Sequence, residues 1–222
     1  HKNHALAAID AGVNVMVEKP AFWNPAQWQE VHRAAERAGV LVFEAARHLF
    51  EPGFETVGQW VDEQKSSGRE VTGEPQAISY RAQLAPTGVD AAGVLLLTYP
   101  GFTAELSFSK NQVSRLPNEI RAGRSGLVLN AVQGIDRVKT VEGQTLFEAE
   151  KPGAPLSQLM RSEALAFAEL IAAQRQGNLT EKQVEHYRYL TQLSRTVNRI
   201  CTEARHQAGI VFSGEFDSSE KH

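Results

Sequence analysis

The sequence predicts an α/β fold. The closing part of a Rossmann-like parallel-sheet domain comes first, followed by an α+β domain with an open, mainly antiparallel sheet. Three observations carry this reading. Two short apolar runs, residues 13–17 and 40–43, flank one amphipathic helix pattern with tight links on either side. Seven β-rich runs broken by turn residues come next. Two amphipathic helix patterns close the chain.

Taken in order, residues 4–11 form a short alanine-rich helix pattern closed by Gly12, a residue suited to a left-handed cap. The strand 13–17 follows. Asn24-Pro25-Ala26-Gln27 supplies an N-cap, a proline at the first helical position and a glutamine placed for a capping box. Trp28, Val31, Ala35 and Ala38 give that helix one apolar stripe, and Gly39 ends it. A strand, a helix and a second strand joined this way form a βαβ unit, hence a parallel pair with a right-handed crossover. Residues 52–65 read as a helix with Phe54, Val57 and Val61 on one face.

The β-rich runs are 76–84, 93–99, 102–109, 119–122, 127–132, 136–141 and 145–149, with Pro100-Gly101 and Glu142-Gly143 as hairpin turns. Phe102, Ala104, Leu106 and Phe108 alternate with period two, the mark of a sheet with one covered face. Leu156, Leu159, Ala164, Phe167, Leu170 and Ile171 mark a helix that stops near Gly177. Thr180 and Gln183 then open a long helix lined by Val184, Tyr187, Leu190, Leu193, Val197, Ile200 and Ala204. From Ser213 the chain is a polar tail. The expected division is 1–46, 47–212 and 213–222.

Bulk properties narrow the function. The chain has 222 residues, is 42% hydrophobic and 22% charged, and carries a formal charge of -3. This balance argues against nucleic acid or an anionic membrane as partner. No apolar run is long enough to span a bilayer. Cys201 is the sole cysteine, so an intrachain disulfide and a thiolate metal cluster are both excluded, and a reducing cytoplasm is the expected location. His1 and His4 stand one helical turn apart without a third ligand in sequence, and no metal is expected.

The chemistry concentrates in Glu18-Lys19-Pro20, at the end of the first strand. In open α/β sheets the carboxyl ends of the strands are where ligands bind. An amine there can carry a proton to or from a hydroxyl or carbonyl. Glu44 falls on the same edge of the sheet. Trp23 either packs by a ligand or serves as the hydrophobic staple of the Asn24-capped helix. Arg47 either pairs with an anion at the cleft or forms a surface ion pair. Asp90 and Asp136 read as isolated strand-end carboxylates.

Residues 1–20, an initial histidine, an alanine-rich helix, a glycine and a valine-rich strand ending in Glu18-Lys19-Pro20, resemble the glucose–fructose oxidoreductase/inositol dehydrogenase (GFO/IDH/MocA) family. Glu44-Ala45-Ala46-Arg47 with the later Pro52, and residues 118–126, resemble that family further along the chain. The resemblance implies an NAD(P)-dependent oxidoreductase that moves a hydride between a sugar-like or polyol alcohol and the cofactor, NAD or NADP. It implies Lys19 as the catalytic group, Glu18, Lys19, Pro20 and His1 beside the cofactor, and a cis peptide before Pro20. Arg47 and Trp23 are the substrate-side candidates. Self-association through the open sheet, as a homodimer or larger, is expected. The family's glycine-rich phosphate loop would lie ahead of His1, and a family segment is skipped near Gly73-Glu74, so the chain is expected to be incomplete. A non-catalytic dinucleotide or sugar sensor of the same fold is the alternative.

Overall fold

The computed structural model describes residues 1–66, 73–113, 116–153, 156–213 and 215. The tail expected from Ser213 lies outside these, apart from residues 213 and 215. The side chains of Leu156 and Leu159, expected on an apolar stripe, also lie outside them.

Helix α1 (Lys2–Asp10) leads into strand β1 (Val15–Glu18), helix α2 (Pro25–Ala38) and strand β2 (Val42–Ala45). β1 and β2 pair in parallel, Val17 opposite Glu44 and Glu18 opposite Ala45. Both strands begin two residues later than the apolar runs suggest. The Asn14 side chain accepts the Leu41 N–H at 2.7 Å, so a side chain holds the chain just ahead of the ladder. Asn24 caps α2 by accepting the Gln27 N–H at 3.0 Å, and the left-handed Gly39 ends it. The reciprocal arm of the expected capping box is shifted by one residue. The Gln27 side chain accepts from the Trp23 N–H rather than from Asn24.

A 3-10 turn (Arg47–Phe50), which the sequence pattern does not predict, leads into α3 (Pro52–Ser66). Strands β3 (Ala77–Leu84), β4 (Asp90–Thr98) and β5 (Thr103–Ser109) form one antiparallel sheet. β6 (Asn118–Ala122), β7 (Ser125–Leu129), β8 (Arg137–Thr140) and β9 (Thr145–Glu148) form another. All seven β-rich runs are strands, and their hydrogen bonding divides them into two sheets. Helices α4 (Leu156–Arg175) and α5 (Glu181–Gln207) follow, the latter opened by a full capping box between Thr180 and Gln183. Among the described residues no helix is long and apolar enough to cross a membrane.

Among the described residues four apolar clusters hold these parts together. α1, α2 and the parallel pair share one, built on Ile9, Val17, Phe22, Trp28, Val31 and Val42. α3 covers the four-stranded sheet through Val57 and Trp60 against Leu127, Ile135 and Val138. α5 covers one face of the three-stranded sheet, Ile200 and Ala204 meeting Ile78, Tyr80 and Leu97. Directly paired residues of an antiparallel ladder share a face. Val94 and Leu96 therefore lie on the other face, where both are exposed. The fourth cluster joins β2 to the closing helices, with the Phe43 and Phe167 rings stacked at 4.2 Å. The Tyr187 hydroxyl accepts the Val42 N–H at 3.2 Å, so α5 satisfies a backbone donor of β2.

The apolar stripe expected along α5 is partly displaced. Val197 is 44% exposed, and the buried positions of the helix are Asn198, Ile200, Thr202 and Ala204. Two of these four are polar because their partners are backbone carbonyls.

Candidate active site

Glu18, Lys19 and Pro20 are all exposed at the carboxyl end of β1, and the Lys19–Pro20 peptide is cis. Proline has no N–H, so the first backbone donor after Lys19 is that of Ala21. It donates to Glu44 Oε1 at 3.0 Å. The other Glu44 oxygen accepts the Ser194 hydroxyl of α5 at 2.5 Å, and Ser194 Oγ in turn accepts the Trp28 indole N–H at 3.1 Å.

α5 continues the hold further along. Asn198 Nδ2 donates to the Phe22 carbonyl at 2.7 Å, and Arg205 Nη2 donates to the Trp23 carbonyl at 2.9 Å. Thr202 Oγ1 lies 3.2 Å from that same Trp23 oxygen. Ser194, Asn198 and Thr202 recur every fourth residue, the spacing that aligns side chains on one helix face. That recurrence is legible in the sequence, but it stands beside the apolar stripe and does not announce what it binds.

Trp23 is 42% exposed and packs against Phe212, ring centroids 5.8 Å apart. Arg205 lies over the Phe212 ring and pairs with the buried Glu215. Burial alone would push the Glu215 carboxyl up, but Arg205, the Phe212 N–H and His206 outweigh it and leave it below the ordinary range. His1 is exposed at the start of α1, where its carbonyl accepts the Ala5 N–H.

Arg47 is engaged within the chain. Its guanidinium pairs with the buried Glu51 and donates to the Gln133 carbonyl at 2.6 Å. His48 lies 3.5 Å from the same Glu51 carboxylate. Asp90, read from sequence as isolated, accepts from both the Tyr80 hydroxyl and Lys110. Asp136 accepts the Gly153 N–H.

Glu163, on α4, is a buried acid that sequence reasoning missed. It is 2% exposed and accepts the Ala46 N–H at 2.5 Å, just past the end of β2. Burial pushes its carboxyl above the ordinary range and Glu18 adds to the rise, against the Ala46 N–H and Arg47. The native state therefore binds a proton that the unfolded chain has released, and stability falls as pH rises from the ordinary carboxylate range through the raised value. Glu163→Gln, which mimics the protonated acid, is expected to abolish that decline in denaturant melts across the window. Glu163→Ala orphans the Ala46 donor and is expected to cost about 1–3 kcal/mol.

Residues 1–46 match the sequence profile of an oxidoreductase family with an NAD-binding Rossmann fold, GFO_IDH_MocA. Over these residues the chain is similar to the GFO/IDH/MocA oxidoreductases. The scyllo-inositol 2-dehydrogenase (NADP(+)) IolU of Bacillus subtilis is 25% identical to the chain, covering 97% of it and 76% of the relative. That alignment runs over 260 positions, more than the 222 residues of the chain, so it opens gaps within the chain. Among solved structures, biliverdin reductase from Synechocystis, in complex with biliverdin and NADP+, has the same fold. Its TM-score is 0.69 at 13% identity, over 94% of this chain and 76% of that one. An inositol dehydrogenase homologue from Azotobacter vinelandii complexed with NAD+ gives 0.67 at 15% identity, over 93% and 74%.

Proposed function

We propose that the chain is part of an NAD(P)-dependent oxidoreductase acting on a polyol or sugar-like alcohol, with Lys19 as its proton-transfer group. The observation that carries this is the exposed Glu18-Lys19-Pro20 turn at the mouth of the parallel pair, held from behind by Glu44 and α5. The residues fit a nicotinamide dinucleotide. Glu18, Lys19 and Pro20 are exposed there, and Lys19 is the one amine of the turn. Glu18, Lys19, Pro20 and His1 would hold the cofactor, which supplies a hydride acceptor or donor when bound. Lys19 takes the hydroxyl proton as the carbinol loses its hydride, and returns it in the reverse direction. Trp23, exposed three residues past the turn, is the substrate-side aromatic. Arg47, just past the end of β2 and paired with Glu51, is the second substrate-side candidate. Residues 1–46 form the cofactor half and 47–212 the substrate half.

The similarity to IolU favours a cyclitol or related polyol. The exposed Val94 and Leu96 favour association of two copies over the uncovered face of the three-stranded sheet. The lone cysteine fits a reducing, cytoplasmic location. The test is reduction of NAD+ and NADP+ by the full-length protein with scyllo-inositol, myo-inositol and a set of aldoses and alditols. Substrate-dependent reduction of one cofactor is expected. Cofactor binding with no turnover across the set would replace this reading with that of a sensor.

A further inference from the structure

We propose that Glu44 is the positioning residue for the Lys19 turn, tying it to α5 through Ser194. This rests on the assignment of Lys19 to proton transfer. The register of the parallel pair sets Glu44 opposite Val17, one residue before the Glu18-Lys19-Pro20 segment. From there the carboxylate reaches Ala21, the first residue after the turn with an N–H to give. Its second oxygen reaches across to Ser194. One side chain thus joins three things: the backbone leaving the turn, helix α5, and through Ser194 the Trp28 indole of α2.

The chain of donors runs one way. Trp28 Nε1–H donates to Ser194 Oγ, the Ser194 proton goes to Glu44, and the Ala21 N–H goes to the other Glu44 oxygen. Only a group accepting at both ends closes it, which a carboxylate does and a carboxamide does not. Beyond Ala21, the Phe22 and Trp23 carbonyls are held by Asn198 and Arg205 of the same helix. Three consecutive residues after the turn are therefore anchored to α5, directly or through Glu44. Lys19 itself is exposed and mobile side-chain chemistry depends on a fixed backbone beneath it.

The sensitive variant is Glu44→Gln, which preserves volume and leaves one acceptor for Ala21. It sets an amide NH2 against Ser194, whose own proton then loses its acceptor. Ser194→Ala removes the second link alone. In the full-length protein Glu44→Gln is expected to lower kcat about tenfold to a hundredfold, the scale of a small misplacement of a reacting group. The KM for the cofactor should stay within about twofold, since the interaction lost is one that aligns the proton-transfer group rather than one that binds uniformly. Hydrogen exchange of the Ala21 amide, followed by NMR, should speed up about tenfold as its local anchor weakens. Ser194→Ala should shift both readouts in the same direction and by less. An unchanged Ala21 amide in Glu44→Gln overturns the proposal, as does an unchanged kcat. The exchange rate needs no turnover, so it reports on the anchor even if Lys19 proves dispensable. Activity retained by Lys19→Ala would remove the proton-transfer assignment and leave the exchange result standing by itself.

Discussion

Lys19→Ala in the full-length protein is expected to lower kcat by about 10²–10⁴, the usual contribution of a positioned general acid–base group. Cofactor affinity, followed by nicotinamide fluorescence, should change little. The amine is exposed and makes no hydrogen bond that holds the fold among the described residues, so its removal leaves the anchoring by Glu44 and α5 in place. Lys19→Arg should fare nearly as badly, because a guanidinium does not give up its proton at working pH. Turnover within a few-fold of the parent, with a verified substrate, would take Lys19 out of the chemistry.

Gly53→Ala is the substitution expected to cost most in stability. Gly53 sits in the first turn of α3, where the helix meets the segment before β8. A Cβ there would lie 2.1 Å from the Ile135 carbonyl oxygen and 2.8 Å from the Ile135 Cβ. The obstacle is backbone, which cannot swing aside as a side-chain tip can. Either α3 or the Ile135 loop must shift, and both belong to the cluster of Val57, Trp60, Leu127 and Val138. Overpacking of this kind costs about 3 kcal/mol, at the upper end of its usual range. For a chain of this size that corresponds to a fall in Tm of about 6–12 °C. A Tm equal to the parent's would mean that α3 docks less closely than described.

The sequence was legible where the controlling interaction is local. Asn24-Pro25 and Thr180 with Gln183 announce helix starts because each cap is satisfied within three residues. The seven strands were legible for the same reason, since alternation and turn residues are properties of neighbouring positions. Pairing is not, and so a division into three-stranded and four-stranded sheets could not be read from the runs themselves. Glu18-Lys19-Pro20 could be placed at a strand end because a short apolar run precedes it.

What was hidden depends on partners far away in the chain. Ser194 meets a carboxylate 150 residues before it, and Asn198 meets a carbonyl 176 residues before it. Periodicity assigns α5 a buried apolar stripe that includes Val197, and the helix instead buries Asn198 and Thr202 against the turn's backbone. Glu163 was likewise invisible, one acid in an ordinary amphipathic pattern until Ala46 is folded against it. Arg47 could be placed just past a strand end, but its bond to the Gln133 carbonyl, 86 residues away, could not be read from the sequence.

Cofactor protection of Lys19 tests the central claim most directly. The full-length protein is acylated with a limiting amine reagent, with and without NAD(P) and a polyol, and modification is read lysine by lysine by mass spectrometry. The account predicts that ligand slows labelling of Lys19 while Lys65 and Lys182 react at unchanged rates. Equal labelling of Lys19 in the presence and absence of bound cofactor would contradict it.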